Sequence, residues 1–133
     1  MVYANSDSGE VFLAKAVEYT LFNGYSPYKQ KDLSIKTGDP TEFKTYDEFY
    51  AAVIKQLDYL TDTVTAKSNA AQELFAKEAP NPFRSAFIEG CIEKGLEYKN
   101  GGPLYGHGQV LAEGIADCAD ALYAIKTLVY DEK

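Results

Sequence analysis

The chain has 133 residues, 46% of them hydrophobic and 25% charged, with a net charge of −7; this is the composition of one globular domain, able to bury roughly two-thirds of its unfolded surface. The 13 scattered Lys and Arg residues do not make the clustered cationic surface that nucleic acid requires, and no 18-residue apolar run is present to span a membrane. The opening "MVYANSDSGE" has neither the basic nor the apolar region of a signal peptide, so a cytoplasmic location is expected. Two cysteines without Cys-x-x-Cys or Cys/His spacing point to no zinc site and no disulfide.

In chain order, Val11, Leu13, Ala14, Val17, Leu21 and Phe22 recur at three- and four-residue steps, which predicts a first helix over 10–22 with Gly24 as its left-handed cap. Residues 24–44, punctuated by Gly24, Pro27, Gly38 and Pro40, read as a long irregular connection. "TYDE" at 45–48 is a capping box in which the Thr45 hydroxyl and the Glu48 carboxylate each serve the other's backbone amide. Phe49, Val53, Leu57, Leu60 and Val64 then form one stripe of a long helix that runs to about Ala76. Pro80 and Pro82 end it, and Asn81-Pro82 opens a third helix that closes at Gly95.

On that third helix Phe83, Phe87 and Cys91 share a face, while Glu89, Glu93 and Lys94 point to solvent. Residues two apart on a helix diverge by about 200°, so Cys91 and Glu93 cannot face one ligand together. Cys91 is therefore expected to be a buried, inert thiol. Residues 100–114, "NGGPLYGHGQVLAEG", have no helical stripe, and their glycines permit close backbone approach to a ligand or a neighbouring strand. They lack the spacing of a phosphate loop or a dinucleotide fingerprint. A fourth helix over 114–129 carries Ile115, Ala119, Leu122, Ile125 or Lys126, and Val129 on one stripe. The one histidine, His107, has no partner for Ser-His or Cys-His catalysis, and a stand-alone hydrolase built on His107 and Glu113 lacks a nucleophile.

Three stretches, "GDPTEFKTYDEFYAAVIKQLDYL", "NPFRSAFIEGCIEKGLEYKNGGPLYG" and "EGIADCADALYAIKTLVYDEK", resemble, in order, the C-terminal half of the glycyl radical enzymes, the pyruvate formate-lyase-like superfamily. The resemblance implies an α/β fold: 1–133 as part of a ten-stranded barrel, mostly helical in this chain, with one or two strands near 99–112. It also implies that the catalytic cysteine belongs to an upstream Gly-Cys-x-Glu loop and the radical glycine to a downstream loop. The letters Gly-Cys-x-Glu recur at 90–93, but the resemblance aligns Cys91 with a later helix and places the catalytic loop before Met1 and the radical loop after Lys133, so no catalytic or metal-binding residue is expected, and the chain alone is expected to be inactive. Cys118 falls on the last helix and reads as structural.

What the resemblance implies for chemistry is a thiyl radical, generated from the stored glycyl radical, that abstracts hydrogen from a small carboxylate substrate. The chain itself would bind no cofactor; an activase carrying S-adenosylmethionine and an iron–sulfur cluster would install the radical, and the remainder of the barrel would be its partner. Glu113, with Val110 and Leu111 as an apolar wall, resembles the arylacetate (4-hydroxyphenylacetate) decarboxylase branch, in which a glutamate in this part of the chain contacts the aryl end of the substrate. Tyr105 and His107 are further candidates for substrate binding. A second reading of Glu113 is a favourable charge at the start of the fourth helix. Other glycyl radical lyases, dehydratases or formate acetyltransferase-like enzymes share these helices, and a non-catalytic helical interaction module is the reading from another class. Surfaces meant for the rest of the barrel would leave apolar patches exposed.

Overall fold

The computed structural model describes residues 4–132, with side chains described except those of 4–8 and 107. The order is β1 (Ala4–Phe12), α1 (Leu13–Leu21), β2 (Tyr25–Ser26), β3 (Lys31–Asp32), a 3₁₀ turn (Pro40–Glu42), α2 (Tyr46–Glu78), α3 (Pro82–Ser85), α4 (Cys91–Lys94), β4 (Gly106–Glu113), α5 (Ile115–Ile125) and a π-helical end (Lys126–Asp131). β1 pairs with β4, and β2 pairs antiparallel with β3 with Tyr25 opposite Asp32. The chain divides into two compact units, one of residues 1–10 and 64–111, the other of 11–63 and 112–133.

In the second of these units the long helix starts as its capping box requires: the Glu48 amide donates to Thr45 Oγ1 at 3.2 Å and the Thr45 amide to Glu48 Oε2 at 3.4 Å. Phe49 and Val53 from α2 meet Ala16 and Val17 from α1 in a buried cluster, ringed by Leu57, Leu60, Cys118, Leu122 and Ile125. Each large apolar side chain so buried contributes about 1.5–3 kcal/mol. The Phe49 ring lies 6.3 Å from that of Phe43 and 6.4 Å from that of Tyr130, within the range of favourable aromatic pairing.

Gln56 is the largest of the buried polar side chains in this unit, which include Thr20 and Ser26. Gln56 Nε2 donates to the carbonyls of Ile35 at 2.8 Å and Tyr19 at 3.4 Å and to Thr37 Oγ1 at 3.3 Å, while its Oε1 accepts from Ser34 Oγ. One α2 residue thus binds the end of α1 and the irregular segment after it. That segment is closed on itself by Gly24, at φ +81°, whose carbonyl accepts from Leu33 and Ser34. The left-handed cap expected at Gly24 is present; its amide donates to the Tyr19 carbonyl at 2.6 Å.

Three expectations are corrected. Residues 10–12 belong to β1, so α1 begins at Leu13; a strand written "ANSDSGEVF" has no apolar alternation to announce it, and its pairing with β4 supplies the backbone partners. The third helix is two single turns, α3 and α4, interrupted where Gly90 takes φ +96°. Phe83 and Phe87 are consequently exposed and meet each other edge to face at 5.1 Å instead of entering a core with Cys91. Finally, α5 turns Cys118, Ala121, Leu122 and Ile125 inward, leaving Ile115 and Val129 exposed. The π-helical end, with the Glu132 amide bonded to the Thr127 carbonyl five residues back, advances the phase and brings Tyr130 in where Val129 was expected.

Replacing Gln56 with Leu removes the side-chain donor from the Ile35 carbonyl and dismantles the bonds to Ser34 and Thr37, while the Tyr19 carbonyl keeps the Gly24 amide; an unsatisfied buried polar group costs about 1–3 kcal/mol. Urea unfolding is expected to show Gln56→Leu destabilised by about 3 kcal/mol, while exposed Lys55→Ala next to it on α2 changes by about 0.5 kcal/mol or less.

Candidate functional site

The strand that holds the sequence-predicted substrate residues begins at Gly106, and the segment before it is unusually tied down. Asn81 caps α3 by accepting from the Arg84 amide at 2.9 Å, and its own amide donates to Glu97 Oε1 at 3.2 Å. Ser85 Oγ donates to the Asn81 carbonyl at 2.9 Å and accepts from the Tyr98 amide at 3.0 Å. The Arg84 guanidinium lies 4.5 Å from the centre of the Tyr98 ring. Tyr98 packs in turn on buried Ile88 and Cys91.

Two glycines let the next segment pass within backbone contact of α4. A Cβ on Gly90 would lie 2.6 Å from the Leu104 nitrogen and 2.8 Å from the Gly102 oxygen, and one on Gly102 would lie 2.3 Å from the Leu96 oxygen and 2.7 Å from Cys91 Sγ. The approach is bonded: the Leu104 amide donates to the Glu89 carbonyl at 2.8 Å and the Gly102 amide to the Glu97 carbonyl at 3.1 Å. Glu93 Oε2 accepts from the Gly90 amide at 3.0 Å, and Lys94 Nζ donates to the carbonyls of Gly101 at 3.2 Å and Pro103 at 2.9 Å. Cys91 and Glu93 therefore have separate tasks, as their spacing implied, with the thiol inside and the carboxylate on the backbone.

Burial raises the Cys91 thiol above its ordinary range, with nearby Glu97 adding to the effect and Lys94 opposing it. Burial likewise raises Cys118. Both shifts favour the neutral thiol over the thiolate, which is the nucleophilic form. Among the described residues no group of three or more His, Cys, Asp or Glu is placed to hold a metal. A hollow of about 370 Å³ lies over Cys91, lined by Pro80, Pro82, Ala86, Ile92 and Leu96 among others.

Along β4 the side chains alternate: Gln109, Leu111 and Glu113 are half-buried, and Gly108, Val110 and Ala112 exposed. Leu111 and Glu113 thus share a strand face that Val110, 40% exposed, does not. Tyr105 precedes the strand and is also exposed. His107 lies on β4, its side chain outside the described part. Glu113 is the last strand residue; the N-cap of α5 is Gly114, at φ +72°, and the acid in that helix's first turn is Asp117. What sequence reasoning missed is the anchoring of this strand. Lys94 reads as a solvated charge by periodicity, and the nearby glycines 101 and 102 were the available signal that backbone comes close.

A match to the Pyruvate formate lyase-like family spans residues 6–133. The chain belongs to that family. Among its relatives is a trans-4-hydroxy-L-proline dehydratase from Clostridioides difficile, 38% identical over 126 residues that cover 95% of this chain and 16% of the relative. An isethionate sulfite-lyase from Nitratidesulfovibrio vulgaris is 31% identical over 133 residues, covering 96% of this chain and 16% of the relative. The glycerol-bound B12-independent glycerol dehydratase from Clostridium butyricum superposes with a TM-score of 0.87 at 31% identity, covering 98% of this chain and 16% of that one. These homologues are glycyl radical enzymes, and the pyruvate formate lyase-like chain spans only about a sixth of their length.

Gly90 and Gly95 separate close approach from backbone conformation alone. Both have positive φ, but a Cβ on Gly95 meets nothing within 4 Å. Gly95→Ala is expected to cost about 1–2 kcal/mol, the left-handed penalty. Gly90→Ala adds a backbone clash and is expected to cost at least about 3 kcal/mol in chemical denaturation.

Proposed function

We propose that the polypeptide carrying this segment is a glycyl radical lyase that eliminates a small leaving group, water first among the candidates, from a small hydroxylated substrate. The observation that carries this reading is that the 38% identical relative and the superposing glycerol-bound structure are both dehydratases. The sulfite-lyase relative extends the same pattern to another small leaving group. The radical, installed on a glycine by an activase with S-adenosylmethionine and an iron–sulfur cluster, supplies hydrogen abstraction through a cysteine thiyl. Both the glycine and the cysteine lie outside the motifs of this segment.

This chain's own contribution is the face of β4. Glu113 accepts a hydrogen bond from a substrate hydroxyl or takes up a proton there, and Leu111 beside it excludes water from that side. Tyr105, exposed just before the strand, lines the approach. Val110, exposed on the opposite strand face, is not part of the proposed wall.

An arylacetate-type decarboxylase is the second reading, favoured by the pairing of a carboxylate with an apolar neighbour on one strand face. The two readings diverge in product. The activated polypeptide, offered glycerol, trans-4-hydroxy-L-proline, isethionate and 4-hydroxyphenylacetate in parallel under anaerobic conditions, is expected to release water or sulfite from one of the first three. Carbon dioxide from the arylacetate, with no elimination product from the others, would overturn the proposal. Loss of a charged hydrogen bond costs about 1.5–3 kcal/mol, so Glu113→Gln is expected to lower kcat/KM about tenfold to a hundredfold.

A further inference from the structure

We infer that Lys94 is a positioning residue for the substrate-facing strand: by holding the carbonyls of Gly101 and Pro103 it sets where β4 begins, and hence where Tyr105 and the β4 residues stand. The inference rests on the reading of β4 given above, but the tether itself is a geometric fact independent of it.

Between the Gly102 amide, bonded to the Glu97 carbonyl, and the start of β4 at Gly106 there are three residues. The fixed points on this stretch are the Leu104 amide on the Glu89 carbonyl and the two carbonyls held by Lys94. Gly101 lies at φ +81°, and a Cβ placed on it would meet no atom within 4 Å. Its peptide is held on both sides, by the Gly102 amide on the Glu97 carbonyl and by the ammonium on the Gly101 carbonyl. Releasing the Gly101 and Pro103 carbonyls loosens the segment from which the strand starts, and a one-residue slip of β4 against β1 would exchange the two faces of the strand. That slip would put Val110 where Leu111 stands.

Lys94 is itself held. It is the last residue of α4, a single turn fixed at one end by Glu93 on the Gly90 amide and at the other by Gly95 in the left-handed conformation. Cys91 on the same turn is buried under Gly102. The residue is thus a short link between a rigid turn and two peptides whose amides already bond Glu97 and Glu89, and it holds the carbonyl side of each. Its role needs several donors on one point charge, which a lysine supplies.

The test pairs Lys94→Met, which keeps the stem and removes the donors, with Lys94→Arg, which restores a cation. Hydrogen exchange on the chain is expected to show residues 100–106 exchanging at least about tenfold faster in Lys94→Met, with the α2 amides unchanged, and Lys94→Arg recovering part of the protection. Unchanged exchange over 100–106 overturns the tether. In the activated polypeptide, Lys94→Met is expected to lower kcat/KM about tenfold per glycyl radical counted by electron paramagnetic resonance, with radical yield unchanged. Faster exchange with kcat/KM per radical unchanged overturns the positioning role. If the unsubstituted polypeptide eliminates nothing from any hydroxylated substrate, the proposed function fails, while the exchange result still decides the tether.

Discussion

The close approach of residues 101–104 to the turn at 89–91 is the constraint on which the candidate site depends. It exists because Gly90 and Gly102 have no side chains: a methyl on either would lie 2.3–2.8 Å from backbone oxygen or nitrogen. Once that approach is allowed, the Leu104 amide reaches the Glu89 carbonyl, Lys94 reaches two carbonyls, and Cys91 is sealed beneath. The strand that follows inherits its starting point from these contacts. Conformational freedom in the sequence becomes positional precision in the fold, since a residue without a Cβ is what lets two backbones bond directly.

The unit built on Phe49 and Gln56 is held together differently. Apolar side chains supply its cohesion, but the irregular segment after α1 has little to bury: Lys29, Lys31, Asp32 and Lys36 all lie at the surface. A single buried amide organises it by engaging Ser34, Ile35 and Thr37 at once. Such a polar hub is stabilising only when every one of its groups is partnered, and among the described residues no buried side-chain polar atom lacks a partner. The segment's order therefore comes from hydrogen bonding to α2 more than from its own composition.

Local signals in the sequence were legible and long-range ones were not. The capping box at Thr45 and Glu48, the stripe of Phe49 and Val53, and the left-handed caps at Gly24 and Gly95 depend on neighbours within one or two turns, and each stands as the spacing implies. The family was legible for the same reason, because it is written in contiguous stretches. The break at Gly90 depends on residues twelve and more positions away, so periodicity carried the helix through it. β1 depends on a partner a hundred residues distant and has no apolar alternation of its own. At β4 the glycines announced close backbone approach, yet only the pleat shows that Leu111 and Glu113 share a face while Val110 does not. The arylacetate reading drew on Glu113 and its apolar neighbours; the relatives' chemistry shifts the weight to elimination reactions.

The central claim, that this segment serves catalysis through one face of β4, is tested most directly by a crystal structure of the full polypeptide with a hydroxylated substrate bound. The account predicts the substrate within hydrogen-bond distance of the Glu113 carboxylate and in contact with Leu111, with Lys94 still on the Gly101 and Pro103 carbonyls. A substrate bound with no atom near β4 would contradict it.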